Sequence, residues 1–392
     1  MLTITRNRIL LTTCLIISLF AGLDCLAQLD PERRNLIELG YDQPLAGQGP
    51  QAVYAYYYYN NPEFVRTNVV LRLAVAPVYL DGELGFKQLI SRYTDVGIGF
   101  SGGLYGDEYY EVRQGKYLKR ESFDGHDGDI SLSIYQLLDP GMLIPLNLVA
   151  RGGFRYSAYE HDGTTDDAFE TPGTQPMAYT RVGLRFAGKE PVLYPDLGLE
   201  MSVWYQRQWR FDDGEDSYGY AGDRQLSPAT GLYWAYAGMN YTWTNSGQKV
   251  SFAVTAGGST DPDRLNAWRL GGVLPLVSEF PLIIPGYYYE ELTAKKFVHL
   301  YAAYEVPLDP KHLFKFKVEG ASANVGYLPG YEQPDRWQSG AGCALTFAPP
   351  KKNFQIVVRY GYGFNALRHG EDGAQSVGLL FQYDFGAAKK SE

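Results

Sequence analysis

The closing stretch of the chain, Ala374 to Phe385, reads Ala-Gln-Ser-Val-Gly-Leu-Leu-Phe-Gln-Tyr-Asp-Phe and decides the fold. Successive side chains of a β-strand point to opposite faces. One face of this strand is wholly apolar and consists of Val377, Leu379, Phe381, Tyr383 and Phe385. Aromatic residues near the strand end suit a lipid-facing surface with an interfacial girdle. A soluble β-sandwich would turn the same face inward, so this strand alone leaves both folds open.

The first residues have the pattern of an export signal. Residues 1–27 contain a basic start, an apolar run from Ile9 to Leu19, and small or tolerated residues before a cleavage position after Ala27. The apolar run is shorter than the ~20 residues that a membrane-spanning helix needs. A lipid-modified Cys25 is the alternative, which the charged Asp24 before it disfavours. The sequence therefore predicts an exported protein with a cleaved signal peptide.

Composition narrows the class of protein. The mean hydropathy is only −0.26 and no apolar run after the signal is long enough for a membrane helix, which excludes a helical membrane protein. The chain has 44 Gly and 33 Tyr, and its pI of about 5.2 argues against a nucleic-acid partner. Cys343 is the only cysteine outside the signal, so a disulfide-stapled scaffold is excluded.

Alternation like that of the closing strand recurs along residues 52–386. Fourteen runs have the ~9 to 13 residues that a tilted strand needs to cross a bilayer. Two further strands would fit into residues 28–51, otherwise a periplasmic lead-in, or into residues 81–93, so sixteen is the alternative count. Residues 387–392 form a tail after the last strand. We predict an all-β fold: a closed antiparallel transmembrane β-barrel of the bacterial outer membrane, surrounded by its lipid.

The connections between these strands alternate in length. Short ones, such as 244–248 and 308–312, alternate with long ones, such as 105–128 and 257–296. Short periplasmic turns and long extracellular loops are typical of outer-membrane barrels. Closure is required because an open sheet edge in hydrocarbon leaves unpaired backbone groups that cost several kcal/mol each. The last strand must therefore pair with the first.

Alternation also assigns the charged side chains to the lumen. The predicted inward charges are Arg72, Arg151, Arg155, Arg181, Arg185, Arg359, Glu200, Glu305, Glu319 and Asp384. They fit either a lumen in which these groups simply pair and are solvated or a selective, gated pore. A polar interior is common to both.

The last third of the sequence resembles a known family. The segments Leu270-Gly271-Gly272, Pro285-Gly286-Tyr287, Tyr304-Glu305-Val306-Pro307-Leu308 and Phe316-Lys317-Val318-Glu319-Gly320 are similar to the final third of the bacterial surface antigen superfamily. This superfamily includes the BamA-type insertases and the two-partner secretion transporters. The resemblance implies a loop folded into the lumen, followed by five strands. It implies a loop tip at Gly271, Gly272, Pro285, Gly286 and Tyr287, and partner acids on the wall at Glu305 and Glu319.

Two departures from the family pattern bear on function. Pro285 stands where the family has a tip arginine, and no Arg occurs between Arg269 and Arg336, so the usual loop-to-wall ion pair cannot form. Lys315 or Lys317 is the candidate to neutralise the wall glutamates instead. Residues 28–49 are too few for the periplasmic repeat domains that receive clients in this family, which leaves room for a separate periplasmic partner.

The sequence offers no enzyme, cofactor or metal site. The five histidines fall mostly in predicted loops or turns, and the acidic stretches at 124–129 and 212–216 do not have the spacing of a calcium loop. Two functions remain. The first is a conduit for transport, or an assembly-type pore, with a loop at 257–296 folded into the lumen. The alternative is a structural or adhesive surface barrel without transport activity.

Overall fold

The computed structural model describes residues 29, 33–50, 52–141, 145–187, 198–211, 217–272, 282–349 and 353–386. Sixteen antiparallel strands form its wall. In chain order they are β1 (Arg34–Pro44), β2 (Ala52–Asn61), β3 (Val69–Val75), β4 (Tyr79–Ser91), β5 (Thr94–Gly103), β6 (Asp124–Leu137), β7 (Leu146–Glu160), β8 (Gln175–Ala187), β9 (Leu199–Arg210), β10 (Ala229–Thr242), β11 (Lys249–Thr260), β12 (Leu292–Pro307), β13 (Phe314–Tyr327), β14 (Trp337–Phe347), β15 (Phe354–Arg368) and β16 (Glu371–Asp384). A short strand, Trp268–Leu270, also pairs with the start of β12.

The sheet is closed into a barrel. Each wall strand pairs with its neighbour in sequence, and β1 also pairs with β16 from Leu36↔Asp384 to Pro44↔Ser376. This seam satisfies the backbone groups of the first and last strands, as the sequence predicts for a sheet in hydrocarbon.

Exposure of the side chains identifies the surroundings of the barrel. Leu132, Val203 and Leu379 lie on the outer face and are 52%, 51% and 50% exposed, whereas inward-facing Gln382 is only 7% exposed. Soluble proteins rarely expose a contiguous apolar band on this scale. The outward apolar face of β16 is therefore a lipid-facing face, and the protein is an outer-membrane β-barrel.

The expected number of fourteen strands is too low, and the alternative of sixteen is the number observed. One missed strand is β1, which lies within residues 28–51, so the wall begins at Arg34. The other is β4, which covers most of residues 81–93. Both strands carry charged residues toward the lumen, Glu38 in β1 and Asp81 and Glu83 in β4, and such charges resemble a loop when the sequence is read alone. Residues 1–27 and 387–392 lie outside the described part of the chain, so the signal peptide and the tail stay predictions.

The two ends of the barrel differ. At one end, the loop end, lie the long connections 104–123, 161–174, 211–228, 261–291 and 328–336, of which residues 212–216 and 273–281 are not described. Three connections at the same end, 45–51, 76–78 and 369–370, are short. At the other end, the turn end, β1 begins and β16 ends. Within the described residues, no helix is long and apolar enough to cross a membrane.

The opposite faces of β9 give a test of the lipid-facing surface. Val203→Arg places a charge in the apolar band and should destabilise the barrel by about 2–4 kcal/mol if the residue lies near the bilayer midplane. Gln208→Arg places the same charge on the lumen side, where polar side chains line a cavity, and should cost clearly less. Urea unfolding of both variants in lipid vesicles measures the difference. Equal costs would contradict the assignment of the faces.

Candidate functional site: a loop folded into the lumen

The connection between β11 and β12, residues 261–291, folds into the barrel and is called here the lumen loop. Its described parts are 261–272, called here the first limb, and 282–291, the second limb. Ile284 and Tyr287 are fully buried, and Leu270 is 1% exposed. They pack against apolar residues of the inner wall, namely Phe297, Ala323, Val325, Ala366 and Ala374. One side of the lumen is therefore filled by the chain itself.

Glycines of the inner wall allow the tip of the lumen loop to approach closely. A Cβ atom on Gly340 would lie 2.1 Å from the carbonyl oxygen of Pro285, and one on Gly361 would lie 2.7 Å from the nitrogen of Gly286. Gly286 itself has a φ of +87°, and a Cβ there would lie 2.0 Å from the nitrogen of Gly363. Any larger residue would force the two backbones apart. Gly340, Gly361 and Gly363 thus form a groove, here called the glycine groove, that holds the tip.

Hydrogen bonds connect the remaining tip residues. The Tyr287 hydroxyl donates to Oε1 of Gln338 on β14 at 2.7 Å. The Gly271 nitrogen donates to the Leu282 carbonyl at 3.1 Å, and the Gly272 nitrogen donates to the Tyr288 carbonyl at 2.6 Å. Gly271 and Gly272 therefore join the two limbs of the loop, whereas Pro285, Gly286 and Tyr287 contact the wall.

A buried ion pair anchors the second limb of the lumen loop. Glu291 accepts two hydrogen bonds from Arg368 of β15, at 2.8 and 2.9 Å, and the two residues are 1% and 5% exposed. The Arg368 guanidinium stacks 3.4 Å from the ring centre of Tyr288. The Tyr288 hydroxyl in turn donates to the Ala46 carbonyl at 3.1 Å. The two hydrogen bonds of a buried bidentate pair fix the relative position of its side chains. Removal of one partner from a buried pair costs about 3–5 kcal/mol.

The two wall acids face the lumen and pair within the wall. Glu319 lies 3.0 Å from Arg359 and 2.7 Å from Lys317, and Glu305 lies 3.2 Å from Lys315. These lysines are the two candidates that the sequence offers for neutralising the glutamates.

The loop tip lies close to Glu319 without an ion pair between them in the described structure. A Cβ atom on Gly342 would lie 3.4 Å from Pro285 Cβ and 3.6 Å from Glu319 Cγ, so both border the same wall position. Proline offers no charge for the glutamate, whose partners are cations of the wall. The Glu291–Arg368 pair has the opposite polarity, with the acid on the loop and the arginine on the wall.

Sequence reasoning missed both the anchor and the glycine groove. Alternation in the sequence predicts a strand only from Phe354 to Phe364, whereas β15 continues through a register shift to Arg368. The sequence signal for the groove was present as Gly340-Ala-Gly342 and Gly361-Tyr-Gly363. Glycines repeated on one face of adjacent strands indicate close approach by another backbone.

The opposite half of the lumen contains a polar cavity of about 190 Å³. Its charged lining residues are Arg72, Arg151, Arg155, Arg181, Asp81, Glu83, Asp127 and Asp129. Arg151 lies 3.1 Å from Glu83, and Arg155 lies 3.1 Å from Asp127. All four of these arginines are among the predicted inward charges. Positive and negative groups balance, so the cavity suits water and polar solutes of either sign.

An apolar cluster lies on the turn side of this cavity. Leu29 is 5% exposed and packs with residues of the inner wall, Val70, Tyr135, Val149, Trp204 and Trp234. Leu29 was expected in a periplasmic lead-in, but it lies inside the barrel. Leu29 thus also contributes to filling the lumen.

The described residues include no group of three or more His, Cys, Asp or Glu side chains placed to hold a metal ion. His126 lies 2.9 Å from Glu160 near the loop end, and His299 donates to the Ile283 carbonyl of the lumen loop at 2.9 Å. The acidic stretch at 212–216 lies outside the described residues.

The glycine groove can be tested by adding one side chain. Gly361→Val should displace the loop tip, because even its Cβ would lie 2.7 Å from Gly286. We expect chymotrypsin to cleave at Tyr287 to Tyr289 at least about tenfold faster, the factor that 1.4 kcal/mol produces. Gly320→Val is the matched control, because the nearest atom to a Cβ there is 3.7 Å away. Equal protection of the loop in both variants would show that the groove does not hold it.

Comparison with known proteins bears on the fold. No protein-family model matches the sequence, and no curated protein is similar to it. Among solved structures, CdiB from Acinetobacter baumannii aligns with a TM-score of 0.58 at 10% identity, covering 90% of this chain and 60% of that one. CdiB from Escherichia coli aligns with a TM-score of 0.55 at 14% identity, covering 91% and 63%.

A third solved structure is similar to the same extent. BamA from Haemophilus ducreyi lacking POTRA domains 1-3 aligns with a TM-score of 0.54 at 10% identity, covering 89% of this chain and 71% of that one. The chain spans less than two thirds of the length of either CdiB structure. At these identities the similarity shows the fold: the chain has a closed outer-membrane β-barrel fold similar to that of the CdiB and BamA structures.

Proposed function

We propose that the protein is a conduit of the outer membrane, of the transport or assembly type, whose lumen is closed by the lumen loop. The observation that carries the proposal is the seating of the loop tip in the glycine groove beside the buried Glu291–Arg368 pair. Backbone contacts in the groove, the Tyr287–Gln338 hydrogen bond and this bidentate ion pair hold the second limb, which can leave the groove as a unit. The barrel wall would stay intact, because its own ladder does not include the loop tip.

The other half of the lumen supports the same proposal. A barrel that served only as a structural element would gain stability from a dry apolar filling. This lumen instead retains a polar cavity with balanced charges beside the loop. Displacement of the loop would join that cavity to the space the loop now occupies and create a continuous polar passage.

A separate periplasmic partner is part of the proposal. At the turn end, the turn between β2 and β3 and the last residues of β4 expose apolar side chains: Val65 is 73% exposed, Ile90 67%, Leu89 57% and Phe64 43%. Exposed apolar residues grouped in this way are typical of surfaces that bind proteins or membranes. A soluble partner could deliver a client to the lumen at this end. The resemblance to insertases and two-partner secretion transporters makes a polypeptide the substrate class that we propose.

The anchor can be tested by exchanging its charges. Arg368→Gln and Glu291→Arg each leave a buried charge without its partner, at a cost of about 3–5 kcal/mol, enough to raise the open fraction by about two orders of magnitude or more. We expect small fluctuating currents for the unaltered protein in a planar bilayer and much larger ones for these variants. Glu291→Arg combined with Arg368→Glu restores a pair and should lower the currents again.

Arg92→Gln is the control, since Arg92 is an exposed residue of the turn end, and it should conduct as the unaltered protein does. Two results would contradict the proposal that the protein is a conduit. Silence of every variant, including one that lacks residues 271–291, would favour a structural or adhesive barrel. Currents that are already large with the loop in place would show that the loop does not close the passage.

A further inference from the structure

The long connections at the loop end are held together by one buried carboxylate. Glu111, on connection 104–123, is fully buried. Five side chains surround it and form with it the Glu111 hub, namely Tyr109, Arg113, Arg224, Arg264 and Tyr331. They come from connections 104–123, 211–228, 261–291 and 328–336, so the hub joins four loops at one point.

Three arginines neutralise the Glu111 charge, and two of them, Arg113 and Arg224, also pair with Glu121. Arg113 Nε lies 2.9 Å, Arg264 Nη1 3.2 Å and Arg224 Nη1 3.6 Å from the Glu111 carboxylate, and the Tyr331 hydroxyl donates to it at 2.8 Å. Burial and the Glu111 charge raise the pKa of Tyr331 to about 12, so this tyrosine remains a donor. A buried carboxylate is stable only while such partners surround it.

The lumen loop takes part in this hub through its first limb. Arg264 donates to Glu111 and also lies 5.2 Å from the ring centre of Tyr331. Arg269, further along the same limb, lies 4.8 Å from the ring centre of Tyr109 and donates to the Arg264 carbonyl at 3.1 Å. The first limb is therefore bound to other connections of the loop end through Arg264 and Arg269, and to the wall through the Asp263–Arg210 pair and the pairing of Trp268–Leu270 with β12. The second limb is bound to the wall through Glu291.

The second limb has its own contact with the external loops. Tyr289 meets Tyr110 edge to face, with ring centres 6.1 Å apart. Tyr110 adjoins both Tyr109 and Glu111 in the chain, so this contact lies beside the hub. Both limbs of the lumen loop consequently contact connection 104–123.

We propose that the Glu111 hub controls the lumen loop from outside the barrel, so that the loop leaves the glycine groove only when the hub opens. This inference rests on the proposed function and adds its regulation. Withdrawal of the loop would pull Arg264 away from Glu111 and Arg269 away from Tyr109. Glu111 would then lose Arg264, one of the three arginines around it, while still being buried. Contacts at the loop end and closure of the lumen are therefore coupled.

The coupling predicts that a substitution outside the barrel changes the loop inside it. A cysteine at Ile283, in a Cys343→Ser background of the full chain in lipid vesicles, reports release of the loop through its rate of reaction with a water-soluble maleimide. We expect Arg264→Gln and Glu111→Gln to raise this rate by on the order of tenfold, the factor that 1.4 kcal/mol produces. Arg113→Gln breaks the same hub from connection 104–123 and should act in the same direction.

The matched control is Arg120→Gln. Arg120 is 74% exposed at the same end and pairs with Asp166, outside the hub, so the labelling rate should not change. An unchanged rate in Arg264→Gln and Arg113→Gln, with the external loops loosened to protease, would overturn the coupling and leave the hub a stabiliser of the loops alone. Should Glu111→Gln fail to fold, Arg264→Gln decides, because Arg113 and Arg224 still neutralise Glu111 in it.

The two proposals fail in different ways. If Arg368→Gln raises labelling at Ile283 but no variant conducts, the conduit is wrong while the hub variants still test the coupling. If Arg368→Gln raises both labelling and current but the hub variants raise neither, the coupling is wrong and the conduit stands.

Discussion

Satisfaction of backbone hydrogen bonds in hydrocarbon is the constraint on which the whole structure depends. A strand at an open edge would present unpaired N–H and C=O groups to lipid at a cost of several kcal/mol each. Pairing of β1 with β16 removes both edges, and the outward face is then free to be apolar. Closure also creates the lumen, so the space in which the loop folds is a consequence of the same constraint.

Inside the barrel, the two halves of the lumen differ in chemistry. Where the lumen loop contacts β12 to β16, the wall is apolar or glycine-rich, and the loop tip packs on it through contacts between backbones. Along β3 to β9, arginines and carboxylates pair across the wall and border a cavity. The glycine groove excludes side chains because only an adjacent main chain fits there, whereas the charged half excludes apolar filling because its groups need polar neighbours. A plug on one side and a polar space on the other follow from this division.

The loop anchor of this chain differs from the one that the resemblance implies both in its place and in which side carries the acid. The resemblance implies an arginine at the loop tip, where this chain has Pro285, and the tip still reaches the wall beside Glu319. The ion pair lies elsewhere, between Glu291 and Arg368 at the loop end. This location brings the anchor closer to the external loops, and the Glu111 hub binds the other limb of the same loop there.

The sequence by itself determined the membrane class, the alternation of faces, the inward arginines and the position of a loop followed by five strands. Period-two alternation is a local property, and local properties can be read from neighbouring residues. It did not reveal β1 and β4, whose charged lumen faces resemble loops, or place Leu29 inside the barrel. Only the tertiary structure brought Glu291 to Arg368, 77 positions apart, and gathered four loops around Glu111. Those contacts depend on which strands become neighbours when the sheet closes, and no local pattern encodes that geometry.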